Sequence, residues 1–317
     1  MRVALQKDKN LWSVVLAGGN GERMRPLVQE WLGRHKPKQY CTFVGTRSMF
    51  QHTLDRSDRI VAAEQRVTVV AQEHRHEAQT QFSSRSLGNL ILQPANRDTA
   101  VGIFLGLTYI RAHDPEATVV IFPSDHFVYP EDRFIKITYS LARAAQQLEH
   151  LILLLGVSPD APEPEYGWIQ PAAHLAWIDG YRIQGTTGFL EKPTATRCRA
   201  AMCSGALWNT MIVAAKIEML WRLGQRCLPE MMRLFEIYAQ SMGSVQEDAA
   251  LARIYELMPS CNFSSDLLEK SPQHLGVMEL QGVLWSDWGK PERIAATLRQ
   301  IGREHEMCRT RVAAAAG

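Results

Sequence analysis

Short apolar stretches at residues 12–17, 67–71, 90–92, 119–122 and 151–156 alternate with longer segments of mixed polarity. Each stretch is brief, rich in aliphatic and β-branched residues and bounded by polar ones, the pattern of strands buried on both faces. Between them, residues 48–56, 99–112 and 134–148 carry apolar side chains at helical spacing. This alternation predicts successive β-helix-β units and an α/β fold, a doubly wound, mostly parallel sheet with helices on both faces. In such sheets ligands sit beyond the carboxyl ends of the strands.

After residue 156 the rhythm changes. Pro159, Pro162 and Pro164, then Gly167, Gly180, Gly185 and Gly188, punctuate short strand-like pieces and predict hairpins layered on the first half. Residues 215–257 read as largely helical, with Trp221, Leu223, Leu228, Met231, Leu234 and Ile237 as apolar faces, more simply core than a cofactor box. Two strand-like pieces at 275–280 and 283–286 and a helix from Pro291 follow. No repeat or low-complexity linker is evident, so one domain over 12–300 is expected. Its nucleotide-binding half spans about 12–156 and its second half about 157–300, between an extension 1–11 and a tail 301–317 whose end, 313–317, should fray.

Composition narrows the class. Of 317 residues, 46% are hydrophobic, and 35 basic against 33 acidic residues give a formal net charge of +2. No overall field draws such a chain to nucleic acid or anionic lipid, so anion binding must be local. The densest basic group is Arg34, His35, Lys36 and Lys38. Cys41, Cys198, Cys203, Cys227, Cys261 and Cys308 show no CxxC repeat, which points to reduced thiols in a cytoplasm rather than zinc or disulfides. The N-terminus lacks the apolar core of a signal peptide, and the aliphatic run 151–155 is too short to span a bilayer, so no membrane partner is expected.

The first strand runs into Ala17-Gly18-Gly19-Asn20-Gly21-Glu22-Arg23-Met24-Arg25-Pro26-Leu27. Glycines let backbone amides approach a phosphate chain, since no Cβ blocks the ligand and positive φ is accessible. Read alone, the loop is equally well a tight turn. It is not the dinucleotide fingerprint, which needs glycine where Met24 stands, nor a P-loop. Lys36-Pro37-Lys38-Gln39-Tyr40 follows, supplying cations that can hold a triphosphate and offset the charge that grows as pyrophosphate leaves. Further on stand Gln93-Pro94-Ala95-Asn96-Arg97-Asp98-Thr99-Ala100, Pro123-Ser124-Asp125-His126, Glu165-Tyr166-Gly167-Trp168-Ile169, Phe189-Leu190-Glu191-Lys192-Pro193, Leu207-Trp208-Asn209 and Trp285-Ser286-Asp287-Trp288-Gly289. One carboxylate alone signifies little, but magnesium takes one or two with phosphate oxygens and water, and Asp125 and Asp287 make a candidate pair.

Taken together, from about Trp12 to Arg299, these motifs resemble the sugar nucleotidyltransferases, with Pro-Lys-Gln-Tyr typical of the mannose-1-phosphate guanylyltransferase branch. The resemblance implies a Rossmann-like, GT-A-like fold with a sugar-binding hairpin region and a helical C-terminal part. It implies that Ala17, Gly18, Gly19 and Gly21 bind nucleotide, with Arg23 and Lys38 on the triphosphate; the match to Pro-Lys-Gln, not geometry, favours Lys38 over Lys36. It sets Gln93, Arg97 and Thr99 against the base and gives Asp125 and Asp287 a shared Mg2+. His126 is then a supporting residue, since imidazole suits softer metals.

On the sugar side the resemblance implicates Tyr166, Gly167, Glu191, Lys192 and Asn209. Glu191 can accept from two hydroxyls, Asn209 can donate and accept, and Lys192 can neutralise the sugar phosphate. Arg23, Lys38, Asp125 and Lys192 are therefore the expected catalytic set, acting on a nucleoside triphosphate and a sugar 1-phosphate, and a homodimer is compatible. Two departures leave specificity open. Gln93 replaces the usual Glu, whose carboxylate can accept both guanine N1–H and N2–H. Asn209-Thr210-Met211 stands where Asn-Ser-Gly or Asn-Ser-Phe is usual. Glucose 1-phosphate with UTP or dTTP thus remains a rival pair, and a non-catalytic nucleotide-sugar binder remains a rival class. A nicotinamide oxidoreductase is disfavoured by the loop. No hexapeptide solenoid or isomerase module follows the last motif, so acetyl transfer and isomerisation are not expected.

Overall fold

The computed structural model describes residues 8–82 and 85–303. Residues 1–7 of the extension lie outside that range, as do 304–317 of the tail with Cys308 and the segment expected to fray. The strands are β1 (Leu11–Ala17), β2 (Arg66–Ala71), β3 (Asn89–Gln93), β4 (Thr118–Pro123), β5 (Phe127–Tyr129), β6 (Ile152–Val157), β7 (Gly167–Ile178), β8 (Tyr181–Glu191), β9 (Leu207–Lys216), β10 (Leu275–Glu279) and β11 (Leu284–Ser286). A nine-stranded sheet has the order β3-β2-β1-β4-β9-β6-β10-β8-β7, while β5 and β11 pair as a small antiparallel ribbon. In the large sheet β3, β2, β1, β4, β6, β10 and β7 run one way, and β9 and β8 the other. The sheet is mixed and mostly parallel, as expected.

The helices are α1 (Arg25–Leu32), α2 (Met49–Asp58), α3 (Arg75–Phe82), α4 (Asp98–His113), α5 (Glu131–Gln147), α6 (Ala195–Cys203), α7 (Ile217–Cys227), α8 (Pro229–Ala239), α9 (Glu247–Leu257) and α10 (Pro291–Gln300). Ser48 and Gln51 close a reciprocal capping box at the start of α2, a sequence-local reason for that boundary. Alternate residues of β1 serve opposite cores: Trp12 and Val14 pack with α4, α7, α8 and α9, whereas Leu11 and Val15 pack with α2, α3, α5 and α6. The α4 helix is buried on nearly every side, and Gly106 lets it lie close to the sheet, since a Cβ there would stand 3.0 Å from Val14 Cγ1. A third, smaller cluster joins Met24, Val28, Phe43, Met49, Trp288, Ile294 and Leu298. Among the described residues no helix is long and apolar enough to cross a membrane.

Two expectations need correction. The helical tract begins at Ile217 rather than 215, because residues 207–216 form β9, which enters the sheet antiparallel between β4 and β6. Its apolar stretch Ile212–Ala215 is buried on both faces, and periodicity cannot separate such a strand from a buried helix. Ile237 is 49% exposed, since α8 buries Met231, Leu234, Phe235 and Tyr238 on the opposite stripe.

Candidate active site

The glycine loop leaves the carboxyl end of β1 and is clamped from below. Gln39 Nε2 donates to the Ala17 and Gly19 carbonyls at 3.1 and 2.7 Å, and the Tyr40 hydroxyl donates to Ala17 O at 3.0 Å. These buried bonds fix the loop backbone with its amides uncommitted to the clamp. Gly21 adopts φ +63°, and a Cβ there would lie 2.9 Å from the Lys38 backbone nitrogen. Loop and Pro-Lys-Gln turn are therefore one packed unit. Of the basic group, Arg34 and Lys36 both pair with Glu77, while Lys38 alone turns to the acidic loops.

Lys38 is 4% exposed. Its ammonium lies 2.8 Å from Asp125 Oδ2, at the end of β4, and 2.5 Å from the Asp287 carbonyl oxygen, just past β11. Partial burial would raise the Asp125 carboxyl, whose side chain is 39% exposed, but the Lys38 ammonium holds it below its ordinary value. Asp287 behaves alike: burial is outweighed by Lys38, Arg293 and the Gly289 amide, and its carboxyl stays well below the usual range. The two acidic loops thus meet at one cation. His126 is kept from ionising chiefly by burial, accepts from Trp285 Nε1 at Nδ1 (3.3 Å) and has Nε2 3.6 Å from Asp125 Oδ1. It serves as packing beside Asp125.

Arg23 is drawn into the same cluster, with Nη1 2.8 Å from Glu165 Oε2 and Nη2 3.3 Å from Asp287 Oδ2. The Tyr166 hydroxyl donates to Asp287 Oδ1 at 2.9 Å, which links this charge cluster to the sugar-side motifs.

Gly18, Gly19, Gln93 and Thr99 line a cavity of about 510 Å³ together with Leu16, Asn96 and Gly102. Gln93, 5% exposed, lies against Gly18, where a Cβ would stand 2.4 Å from Nε2. Thr99 Oγ1 accepts from the Phe263 amide at 2.9 Å. Arg97 Nη2 donates to the Tyr255 carbonyl at 3.1 Å, which anchors one end of the guanidinium and leaves its other donors uncommitted to that bond.

Gly167 faces Glu191 across the β7–β8 pair, and a Cβ on it would lie 3.0 Å from Glu191 Oε2 and 3.3 Å from Asn209 Cβ. Gly167, Glu191 and Asn209 are therefore packed together, with Phe189 Cζ nearer still, at 2.8 Å from that Cβ position. Burial pushes the Glu191 carboxyl up more than Lys192, 3.4 Å away, pulls it down. Lys192, Met211 and Trp288 have φ of +45°, +57° and +46°, left-handed backbone at the rim of the site. Met211 stands where the family pattern often has glycine, which takes that conformation without strain. Its amide donates to Asn209 Oδ1 at 3.2 Å.

Sequence reasoning missed three contributors. Gln39 and Tyr40 lay inside a recognised motif, but only the lysine was given a task. Arg293, six residues past Asp287 on α10, carries no motif signal, yet its Nη1 lies 2.7 Å from Asp287 Oδ1.

A family model described as nucleotidyl transferase matches residues 12–304. The mannose-1-phosphate guanylyltransferase of Escherichia coli strain K12 is 28% identical over 261 residues, covering 78% of this chain and 51% of that protein. Its namesake from Klebsiella pneumoniae is 30% identical over 205 residues, 63% of this chain and 41% of its own length. A crystal structure of mannose-1-phosphate geranyltransferase from Thermus thermophilus superposes with a TM-score of 0.74 at 25% identity, covering 88% of this chain and 76% of that one. The chain spans about half the length of the curated relatives it matches. With a match running from the first strand past α10, the chain belongs to the nucleotidyl transferase family.

Proposed function

We propose that this chain transfers a nucleotidyl group from a nucleoside triphosphate to a sugar 1-phosphate, giving a nucleotide sugar and pyrophosphate, with GTP and mannose 1-phosphate as the pair. The observation that carries this reading is the buried Lys38 ammonium, seated between the glycine loop and both acidic loops. An ammonium so desolvated acts strongly on a polyphosphate brought against it. The names of the relatives support the guanylyl and mannose assignments. Cytoplasmic placement belongs to the same proposal, supported by the free thiols of Cys41, Cys198, Cys203, Cys227 and Cys261.

In the proposed reaction an oxygen of the sugar phosphate attacks the α-phosphorus. A phosphorus–oxygen bond forms as the bond to the bridging oxygen breaks, and its electron pair leaves with pyrophosphate. The nucleophile is already ionised near neutral pH, so positioning and charge neutralisation suffice and no protein base is needed. Lys38 and Arg23 neutralise the triphosphate, Lys192 the sugar phosphate, and Glu191 and Asn209 hold hydroxyls while the ring lies against Gly167 and Tyr166. The hard carboxylate oxygens of Asp125 and Asp287 suit Mg2+: Asp125 Oδ1 lies beyond hydrogen-bond length from His126, and Asp287 Oδ2 would exchange its 3.3 Å contact with Arg23 for the ion. Those two residues would hold the ion, which supplies neutralisation of phosphate oxygens.

The Gln93 amide favours keeping a second pair, glucose 1-phosphate with UTP or dTTP, in view. A matrix of nucleoside triphosphates against hexose 1-phosphates with Mg2+, scored by pyrophosphate release, tests the proposal. Fastest release with GTP and mannose 1-phosphate supports it, another best pair replaces the substrates, and silence throughout the matrix overturns the chemistry.

A further inference from the structure

The two oxygens of Asp287 are not equivalent. Three donors meet on Oδ1: Arg293 Nη1 at 2.7 Å, the Tyr166 hydroxyl at 2.9 Å and the Gly289 amide at 3.0 Å. Oδ2 receives the long 3.3 Å bond from Arg23. An aspartate's terminal torsion is soft, so an unsupported carboxylate would rotate and exchange its oxygens. Arg293 is itself held from several sides. Its Nη2 lies 2.7 Å from Glu163 Oε2 and 3.0 Å from Glu165 Oε2, and its guanidinium carbon sits 4.5 Å from the Tyr166 ring centroid. The side chain rises from the first turn of α10 and is 14% exposed. A planar fork reaches Asp287 with one nitrogen and Glu163 with the other, which a lysine ammonium cannot reproduce.

We infer that Arg293 is a positioning residue that fixes the Asp287 carboxylate, presenting Oδ2 toward Arg23 and tying the Glu163–Tyr166 segment to the acidic loop. The inference rests on the reading that Asp287 serves nucleotidyl transfer. It assigns α10, which follows the Trp285-Ser286-Asp287-Trp288-Gly289 motif directly, a part in ordering the site.

The test is pyrophosphate release by the 317-residue chain carrying R293K, R293M, Y166F or D287N and by the R293M/D287N double variant, using the best substrate pair. R293M should lower kcat about 30-fold and R293K about tenfold, with both KM values within about threefold, because the lost interaction orients a group rather than binding substrate. In the D287N background R293M should cost under about twofold more, since residues acting through one group are not additive. Y166F, which removes an Oδ1 donor without stranding a charge, should lower kcat about fivefold and carries the test with R293K where R293M does not fold. Mn2+ alone, followed by electron paramagnetic resonance, gives a readout apart from turnover: R293K keeps the charge, so about fivefold weaker Mn2+ binding reports lost orientation. Equal losses from R293M in both backgrounds, with a lowered thermal midpoint and unchanged Mn2+ affinity in R293K, would overturn the inference. Full activity in D287N would remove Asp287 from the chemistry and Arg293 with it, whereas a slow D287N beside a normal R293K would overturn the inference about Arg293 alone.

Discussion

The Lys38 ammonium lies 2.8 Å from Asp125 Oδ2 at the mouth of the parallel half-sheet, and only 4% of the lysine side chain is exposed. A buried cation of this kind is tolerated because a carboxylate and a carbonyl receive it, and the same desolvation makes it effective toward phosphate. Replacing Lys38 by Ala or Asp125 by Asn should lower turnover by about three decades, the effect of losing about 4 kcal/mol of transition-state stabilisation. Steady-state pyrophosphate release by folded variants measures it, and near-normal kcat in either one removes that residue from its role.

Lys192 is 61% exposed and, among the described residues, pairs only with the adjacent Glu191, so it is available to an arriving phosphate. Lys192→Ala should raise KM for the sugar phosphate about tenfold or more while the triphosphate KM changes little. The opposite split would contradict a sugar-side assignment.

Gln93 lies against Gly18 in the candidate base cavity. A carboxylate there accepts from two adjacent N–H groups where an amide offers one acceptor oxygen. Gln93→Glu should therefore raise kcat/KM for GTP relative to UTP, by about tenfold if one charged hydrogen bond is gained. An unchanged ratio would mean that position 93 does not read the base.

Gly21 and Gly19 should separate structural from ligand-driven requirements. Gly21→Ala forces a left-handed alanine against the backbone of Lys38, and should lower both stability, by about 1–3 kcal/mol, and turnover. A methyl on Gly19 meets nothing within 4 Å among the described residues. Gly19→Ala should keep its thermal midpoint yet raise the triphosphate KM, and an unchanged KM would show that no phosphate approaches there.

Glu131 has a carboxyl lowered to about 2, where burial is outweighed by His52 and by Arg56. Arg56 is 6% exposed on its side chain and donates to Glu131 Oε1 from Nε and Nη2. The folded state therefore favours the ionised carboxyl. Its stabilising effect is complete above the unfolded value of about 4.3 and is lost as pH falls toward about 2. Asp125 and Asp287 are shifted the same way, so their contributions also fade on acidification. Thermal midpoints should fall steeply below about pH 4. Glu131→Gln should cost roughly 2–3 kcal/mol at neutral pH, allowing for the partial exposure of Glu131, and should flatten the acid limb. An acid limb identical to the parent would exclude Glu131 from it.

Much of the site was legible because its motifs announce their own chemistry. Glycines before Arg23, a lysine in Pro-Lys-Gln and aspartates at strand ends each suggest phosphate or cation, and the fold brings Arg23, Lys38, Asp125, Tyr166 and Asp287 into one connected cluster. The rest depends on contacts between distant segments. Arg293 becomes meaningful only once α10 has packed beside Tyr166. Arg97 has the look of a ligand residue, and its bond to the Tyr255 carbonyl could not be foreseen from the chain. Strand β9 was hidden because an apolar run buried on both faces has no alternation to display.

The position of β9 also constrains how the polypeptide reaches its native form. β4 and β6 are not neighbours; β9, arriving after the hairpin, lies between them and hydrogen-bonds to both. A fragment stopped at residue 156 would leave that slot empty and two strand flanks open to pairing with other molecules. The first half therefore cannot complete its sheet until a late segment of high sequence separation arrives, a topology that favours slow folding.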